Sequence, residues 1–300
     1  MGWGLEIGSD VIRACRGELR RGGFQLRRRM EVAVPSGLIR PSLKEGNVQD
    51  ASALSELFRD LATKAGCEGW VRVVLPDPVF ILRSVATDDL PPKPHEARQF
   101  LRWQARDLLP FPPEEARLDY LPLGRGSDGR LRMICLAARD RILAEYERAL
   151  SGAGLRAAVL DARTITLAQA ASEHLGEGTA GLLAVGRGWT TFLVVQEGQP
   201  RFWRLLPDGS EGWMGAERPR LLREVSDSLT FCLESESIGP LGGMTLAGLG
   251  EGTAEVASAL TEWLGVPVTA LDLCAALRSQ ESPDNLDVWG PAIGAAIRPC

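Results

Sequence analysis

The order strand, glycine turn, strand, turn, strand occurs twice in this chain, and that recurrence constrains its fold more than any other feature. At the start, residues 5–7, 11–15, 24–26 and 31–34 are short apolar runs separated by turns at Gly8-Ser9-Asp10 and Gly22-Gly23. Past the middle, residues 182–185, 191–195 and 202–206 repeat the pattern around Gly186-Arg187-Gly188 and Gly198-Gln199-Pro200. The glycine-rich stretch 176–181 suits a hinge between the two halves. Elsewhere, Ala53, Leu54, Leu57, Phe58 and Leu61 recur at helical spacing. Further helices are expected at 94–109, 139–153, 164–175, 219–234, 253–264 and 290–297, the first stopped by Pro110-Phe111-Pro112-Pro113. Strand patterns at 71–75, 79–85, 118–123, 131–137, 159–161, 244–247 and 266–271 alternate with them. The expectation is an α/β chain built as two similar halves.

Composition narrows the function. Three hundred residues with 45% hydrophobic and 24% charged content bury a sizeable core. A net charge of −5 argues against a general nucleic-acid binder. Six cysteines (Cys15, Cys67, Cys135, Cys232, Cys274, Cys300) form no CxxC pair, and His95 and His174 lie far apart. A zinc site or a Cys/His nucleophile is therefore not expected, and free thiols suit a reducing compartment. The N-terminus lacks the basic and apolar regions of a secretory signal, and no apolar run reaches the roughly eighteen residues of a membrane span. A soluble, cytoplasmic protein is expected.

Three glycine-bearing segments stand in order: Gly4-Leu5-Glu6-Ile7-Gly8-Ser9, residues 183–191, and Leu246-Ala247-Gly248-Leu249-Gly250. Backbone N–H groups in such turns cradle anionic oxygens, and glycine lets the backbone approach closely. This arrangement resembles the actin/Hsp70/FtsA superfamily, where two such turns clasp the phosphates of ATP and a third touches the adenosine. The resemblance implies ATP as ligand and Glu6, Gly8, Ser9, Gly186, Gly188, Thr190, Thr191, Gly248 and Gly250 as its contacts. Within that superfamily, the run Phe100-Leu101-Arg102-Trp103-Gln104-Ala105-Arg106-Asp107-Leu108-Leu109-Pro110-Phe111, continuing to Asp119-Tyr120, is similar to the type IV pilus assembly protein PilM family. There a helix, a proline break and a strand form a small inserted subdomain. Pro35-Ser36-Gly37-Leu38-Ile39, Leu75-Pro76, Ala137-Ala138-Arg139 and residues 290–298 extend the likeness over nearly the whole chain.

The resemblance implies a duplicated actin-like (ribonuclease H-like) two-lobed α/β fold with a small inserted subdomain. Its parts would be 1–75 in the first lobe, 76–156 as the insert, 157–181 as helix and hinge, 182–271 as the second lobe, and 272–300 as a closing helix. It also implies a cytoplasmic scaffold at the inner face of the inner membrane, without nucleic acid, and leaves self-association open. The partner would be a PilN-like single-pass membrane protein, bound through its cytoplasmic N-terminal tail. Trp103, Leu109 and Phe111, beside the proline break, are the candidate partner contacts, since aromatics dominate interface hot spots. A cytoplasmic component of type II secretion, GspL, shares the fold and is the alternative.

The departures from the superfamily pattern bear on chemistry. Its phosphate turns carry aspartates that help to hold a hydrated magnesium ion, and here those positions are Glu6 and Ala184. Magnesium demands near-octahedral oxygen ligation, so a metal site is doubtful. Leu249 stands where glycine is common, and the stretch from Leu206 to Met244 holds essentially one helix in place of a nucleotide-covering subdomain. No catalytic residue is assigned. An active ATPase or kinase would need an aspartate base, and Asp10 and Asp161 lie in no such pattern. Thr190 and Thr191 suit phosphate contact or plain strand packing, and Trp189 suits a filled cleft or plain packing.

Overall fold

A computed structural model describes residues 2–21, 23–235, 238–279 and 286–298. Gly22 of the first hairpin turn and Cys300 lie outside the described residues. Two five-stranded sheets carry the architecture. In the first, β1 (Trp3–Ile7), β2 (Val11–Arg20) and β3 (Gly23–Ala33) form an antiparallel meander; helix α1 (Ala51–Ala65) then leads to β4 (Gly69–Leu75). Between β4 and the last strand of this sheet come β5 (Ile81–Thr87), α2 (Pro94–Gln104), β6 (Ala116–Arg125), β7 (Leu131–Arg139) and α3 (Asp140–Gly152). The strand β8 (Leu155–Ala162) completes the order β3-β2-β1-β4-β8, with β4 parallel to both β1 and β8.

The chain crosses through α4 (Arg163–Ala170) and α5 (Ser172–Leu175) into β9 (Thr179–Val185), β10 (Thr190–Gln196) and β11 (Gln199–Leu206). After α6 (Ser210–Met214) and α7 (Arg218–Ser235) follow β12 (Gly243–Ala247), α8 (Thr253–Leu264) and β13 (Val268–Ala270). The second sheet has the order β11-β10-β9-β12-β13 with the same strand senses as the first. The recurrence visible in sequence is thus a duplicated topology. All seven residues of β9, apart from its first, and the first six of β10 are buried, as expected of strands covered on both faces.

Local chemistry sets the first-lobe helices. Asp50 caps α1 by accepting from the N–H groups of Ser52 and Ala53, and Gly66 closes it in the left-handed conformation. Its buried face, Leu54, Phe58 and Leu61, meets Ile142, Tyr146 and Leu150 of α3 in the main core. Helix α3 therefore packs as part of the first lobe. Strands β5, β7 and β6 form a separate antiparallel three-stranded sheet. With Leu101 of α2 it encloses a small core of its own, including Leu118, Met133 and Cys135.

The expected helix at 164–175 divides at Ala171, and α9 (Leu273–Ala276) precedes the closing α10 (Gly290–Ile297). Helix α10 packs against β1, β2, β4 and α4, and its first seven residues are buried. Contact is close enough to require glycine at two points: a Cβ on Gly294 would lie 1.9 Å from the Thr166 carbonyl oxygen, and one on Gly4 1.9 Å from that of Ala292. The arginines of the first hairpin are largely engaged. Arg20 and Arg27 pair with Glu18, Arg28 donates to the Ala65 carbonyl, and Arg29 lies over Trp289. Among the described residues, no helix is long and apolar enough to cross a membrane.

Candidate functional site

The two glycine turns face one another across the junction of the lobes. Each is closed in the same way, by an N–H at the head of the turn donating three residues on: Gly8 to the Val11 carbonyl at 2.9 Å, and Gly186 to the Trp189 carbonyl at 2.8 Å. Gly248, at φ 98°, joins them, and a Cβ there would lie 2.1 Å from the Val185 carbonyl oxygen. Together with Glu6 and Ser9 they line a cleft of about 390 Å³. Of the nine residues that the sequence singles out for nucleotide, Glu6, Gly8, Ser9, Gly186 and Gly248 are brought together there, while Gly188, Thr190, Thr191 and Gly250 are not.

Both threonine hydroxyls are fully buried and engaged elsewhere. Thr190 Oγ1 donates to the Asp208 carbonyl at 2.7 Å and accepts from the buried Trp213 indole N–H at 2.8 Å. Thr191 Oγ1 donates at 2.7 Å to Asp77. Asp77, which sequence reasoning did not single out, also accepts from Thr164 through its backbone N–H at 2.9 Å and its hydroxyl at 2.5 Å. All three residues have no exposed surface. They join the start of the inserted segment, the crossover helix and the second lobe in one bonded cluster. Burial pushes the Asp77 carboxyl up from its ordinary range, opposed by these hydrogen bonds and by Arg163.

Glu6 is only 5% exposed, and it is held between two guanidinium groups. Arg163 Nε donates to Oε1 at 3.1 Å, and Arg13 Nη1 stands 3.6 Å from Oε2. Arg13 was discoverable in principle. The hairpin that pairs Ile7 with Ile12 places it directly opposite Glu6. Arg163, from the first turn of α4, carries no local signal.

The segment after β11 departs from the single helix expected there. It contains α6 as well as α7, and α6 is drawn down onto the second turn by a bond from Ser210 N–H to the Gly186 carbonyl at 2.9 Å. At its end, Met214 lies against the third turn, so that a Cβ on Gly252 would be 2.3 Å from the Met214 sulfur. Leu249 packs on the second-lobe core. Ala184 is fully buried and offers no side-chain oxygen. Among the described residues, no group of three or more His, Cys, Asp or Glu side chains could hold a metal ion. The anionic side chains that line the cleft are Glu6, Asp10 and Glu211.

A second concavity is larger and more apolar. A groove of about 520 Å³ runs between the inserted sheet and the lobes. Leu121, Ile134 and Leu136 line it from β6 and β7, Val159 and Leu160 from β8, and Leu193 and Val195 from β10. It adjoins a shallower hollow along the same strand, which shares Asp119, Leu136, Val159 and Leu160. Strands β8 and β6 are each the last of their sheets among the described residues, so their outer edges carry backbone groups without a ladder partner there. Trp103, Leu109 and Phe111 do not line this groove. Trp103 is 57% exposed and stacks on Arg106 at 4.2 Å; Leu109 packs on the core of the insert; Phe111 is buried, with Arg139 over its ring.

The sequence matches the family described as type IV pilus assembly protein PilM over residues 4–210. Among solved structures, the chain is similar to one described as the PilM-PilN type IV pilus biogenesis complex. The TM-score is 0.79 at 23% identity, covering 98% of this chain and 97% of that one. A Bacteroides thetaiotaomicron protein with actin-like ATPase fold and unknown function matches at TM-score 0.54 and 12% identity, over 93% and 96% of the two chains. The ethanolamine utilization protein EutJ from Carboxydothermus hydrogenoformans matches at 0.50 and 11%, over 99% and 89%. At these identities the structures speak for the fold, which is actin-like. No curated protein sequence matches the chain significantly.

Proposed function

The chain belongs to the type IV pilus assembly protein PilM family, and we propose that it works there as a binding scaffold. On this reading, the groove beside β8 receives the cytoplasmic N-terminal tail of a PilN-like membrane protein, which places the chain at the inner face of the inner membrane. The observation that carries the proposal is the apolar groove itself, bordered by two free strand edges. An extended peptide gains main-chain hydrogen bonds by adding to such an edge, while its alternate side chains fill apolar pockets. The similar solved structure is described as a complex of PilM with PilN, which supports the choice of partner. The cleft between the glycine turns has no part in this binding.

The test is titration calorimetry of the purified chain with a synthetic peptide copying the cytoplasmic N-terminal tail of a PilN-like protein. Leu121 lines the groove yet is 36% exposed, so Leu121→Asp spares the core. It is expected to weaken binding at least about tenfold. Trp103→Ala, outside the groove lining, is expected to change the affinity by less than about twofold. Equal affinity of wild type and Leu121→Asp, with Trp103→Ala weakened, would move the tail to the helix and proline break of the insert.

A further inference from the structure

We infer that Arg163 is the resident cation of the interlobe cleft, standing where a divalent metal ion would otherwise face Glu6, so that the two lobes hold their setting without metal. A divalent cation entering the cleft needs anionic oxygens, several of them and close together. Three acids line it: Glu6, which is buried, and Asp10 and Glu211, which are exposed at its rim. Both Glu6 oxygens already face guanidinium groups, Oε1 that of Arg163 and Oε2 that of Arg13. A divalent ion seated on Glu6 would be opposed by two fixed positive charges in a partly desolvated site. From the second lobe, the strand position matching Glu6 is Ala184, which supplies no oxygen.

The same short stretch of chain also fastens the lobes. Arg163 opens α4 and holds Glu6 on β1. The next residue, Thr164, gives its N–H and its hydroxyl to Asp77, and Asp77 takes the hydroxyl of Thr191 from β10 in the other lobe. Behind them, α4 is packed against α10. The groups that bridge the lobes, the Asp77 carboxylate and the Thr164 and Thr191 hydroxyls, are therefore the chain's own, buried and bonded to one another. This inference concerns the cleft alone and stands or falls independently of the groove.

The experiment is thermal unfolding of the full chain, followed by intrinsic tryptophan fluorescence, in EDTA and in millimolar Mg²⁺, each without nucleotide and with ATP or ADP. The wild type is expected to unfold within about 1 °C with and without Mg²⁺, both in the absence of nucleotide and in its presence, since a metal that does not bind the folded state leaves Tm unmoved. A magnesium-dependent rise of about 3 °C or more with nucleotide would overturn the inference. Arg163→Gln, which removes the charge, is expected to lower Tm by roughly 5–10 °C, because it takes away the nearer of the two cations facing a buried carboxylate. Arg163→Lys, which keeps the charge, is expected to restore at least about half of that loss. A Lys variant as unstable as the Gln variant would show that the side chain acts by packing and not as a cation, and would equally overturn the inference.

Discussion

Asp77→Ala is expected to lower the unfolding free energy by about 3–5 kcal/mol. The substitution removes the common acceptor of three donors, the Thr164 N–H, the Thr164 hydroxyl and the Thr191 hydroxyl, at a point with no exposed surface. Water does not reach these groups to replace the lost bonds, and the cavity left by the carboxylate adds to the cost. Asp77→Asn keeps the side-chain shape and one acceptor oxygen. Its amide nitrogen can donate to the hydroxyl oxygens, so it is expected to cost about 1 kcal/mol. The sign of the pH dependence follows from burial, which raises the folded-state pKa of Asp77. The contribution of this group to stability is complete below its unfolded pKa and is lost as pH rises through the folded one. Asp77→Asn does not titrate and should gain on the wild type as pH rises from acid to neutral. Urea unfolding at several pH values checks both statements; an Ala variant within 1 kcal/mol of wild type, taking ~1 as the value of an ordinary exposed hydrogen bond, would contradict them.

The second large effect concerns the crossing of α10 with α4. Gly294→Val is expected to destabilise the fold by about 3 kcal/mol or more, shifting Tm down by roughly 6–12 °C or abolishing soluble expression. The first added carbon already lies 1.9 Å from the Thr166 carbonyl oxygen and 2.7 Å from its carbon, both backbone atoms that cannot rotate aside. Helix α10 cannot retreat either, because its opposite side meets β1, where Gly4 leaves no room below the Ala292 carbonyl. Relieving one contact therefore tightens the other. A Val variant that melts within about 2 °C of wild type would mean that the helices are free to separate, contrary to the close backbone contact between them.

The duplication was legible because its signals are local: apolar runs of strand length, broken by glycine turns at matching places in both halves. The backbone needs at those turns are likewise local, and the structure closes both with the same hydrogen bond. The short helix α6 escaped notice because five residues are too few to show a helical period. The polar cluster around Asp77 was not legible at all. Its bonds span 87 and 114 residues of chain, and Leu75-Pro76-Asp77-Pro78 reads locally as a plain turn. The ion pair of Arg163 with Glu6 spans 157 residues and left no trace in any motif. Thr190 and Thr191 illustrate the limit in another way. Their residue type fits both phosphate contact and strand packing, and only the positions of Trp213 and Asp77 show where their hydroxyls are used. Phe111 stood out as an aromatic beside a proline break, yet its ring is buried under Arg139. An aromatic ring gains most from leaving water, whether inside its own chain or against a partner, so residue type alone did not choose.

Hydrogen exchange of the chain with and without the PilN-like tail peptide tests the central claim most directly, because it reports which backbone groups become paired on binding. If the tail adds to the free edges beside the groove, new protection is expected in β8 and β6, at 155–162 and 116–125, with no change at the turns around Gly8 and Gly186. Protection confined to those two turns, with β8 and β6 exchanging as in the free chain, would place the ligand in the interlobe cleft and contradict the account.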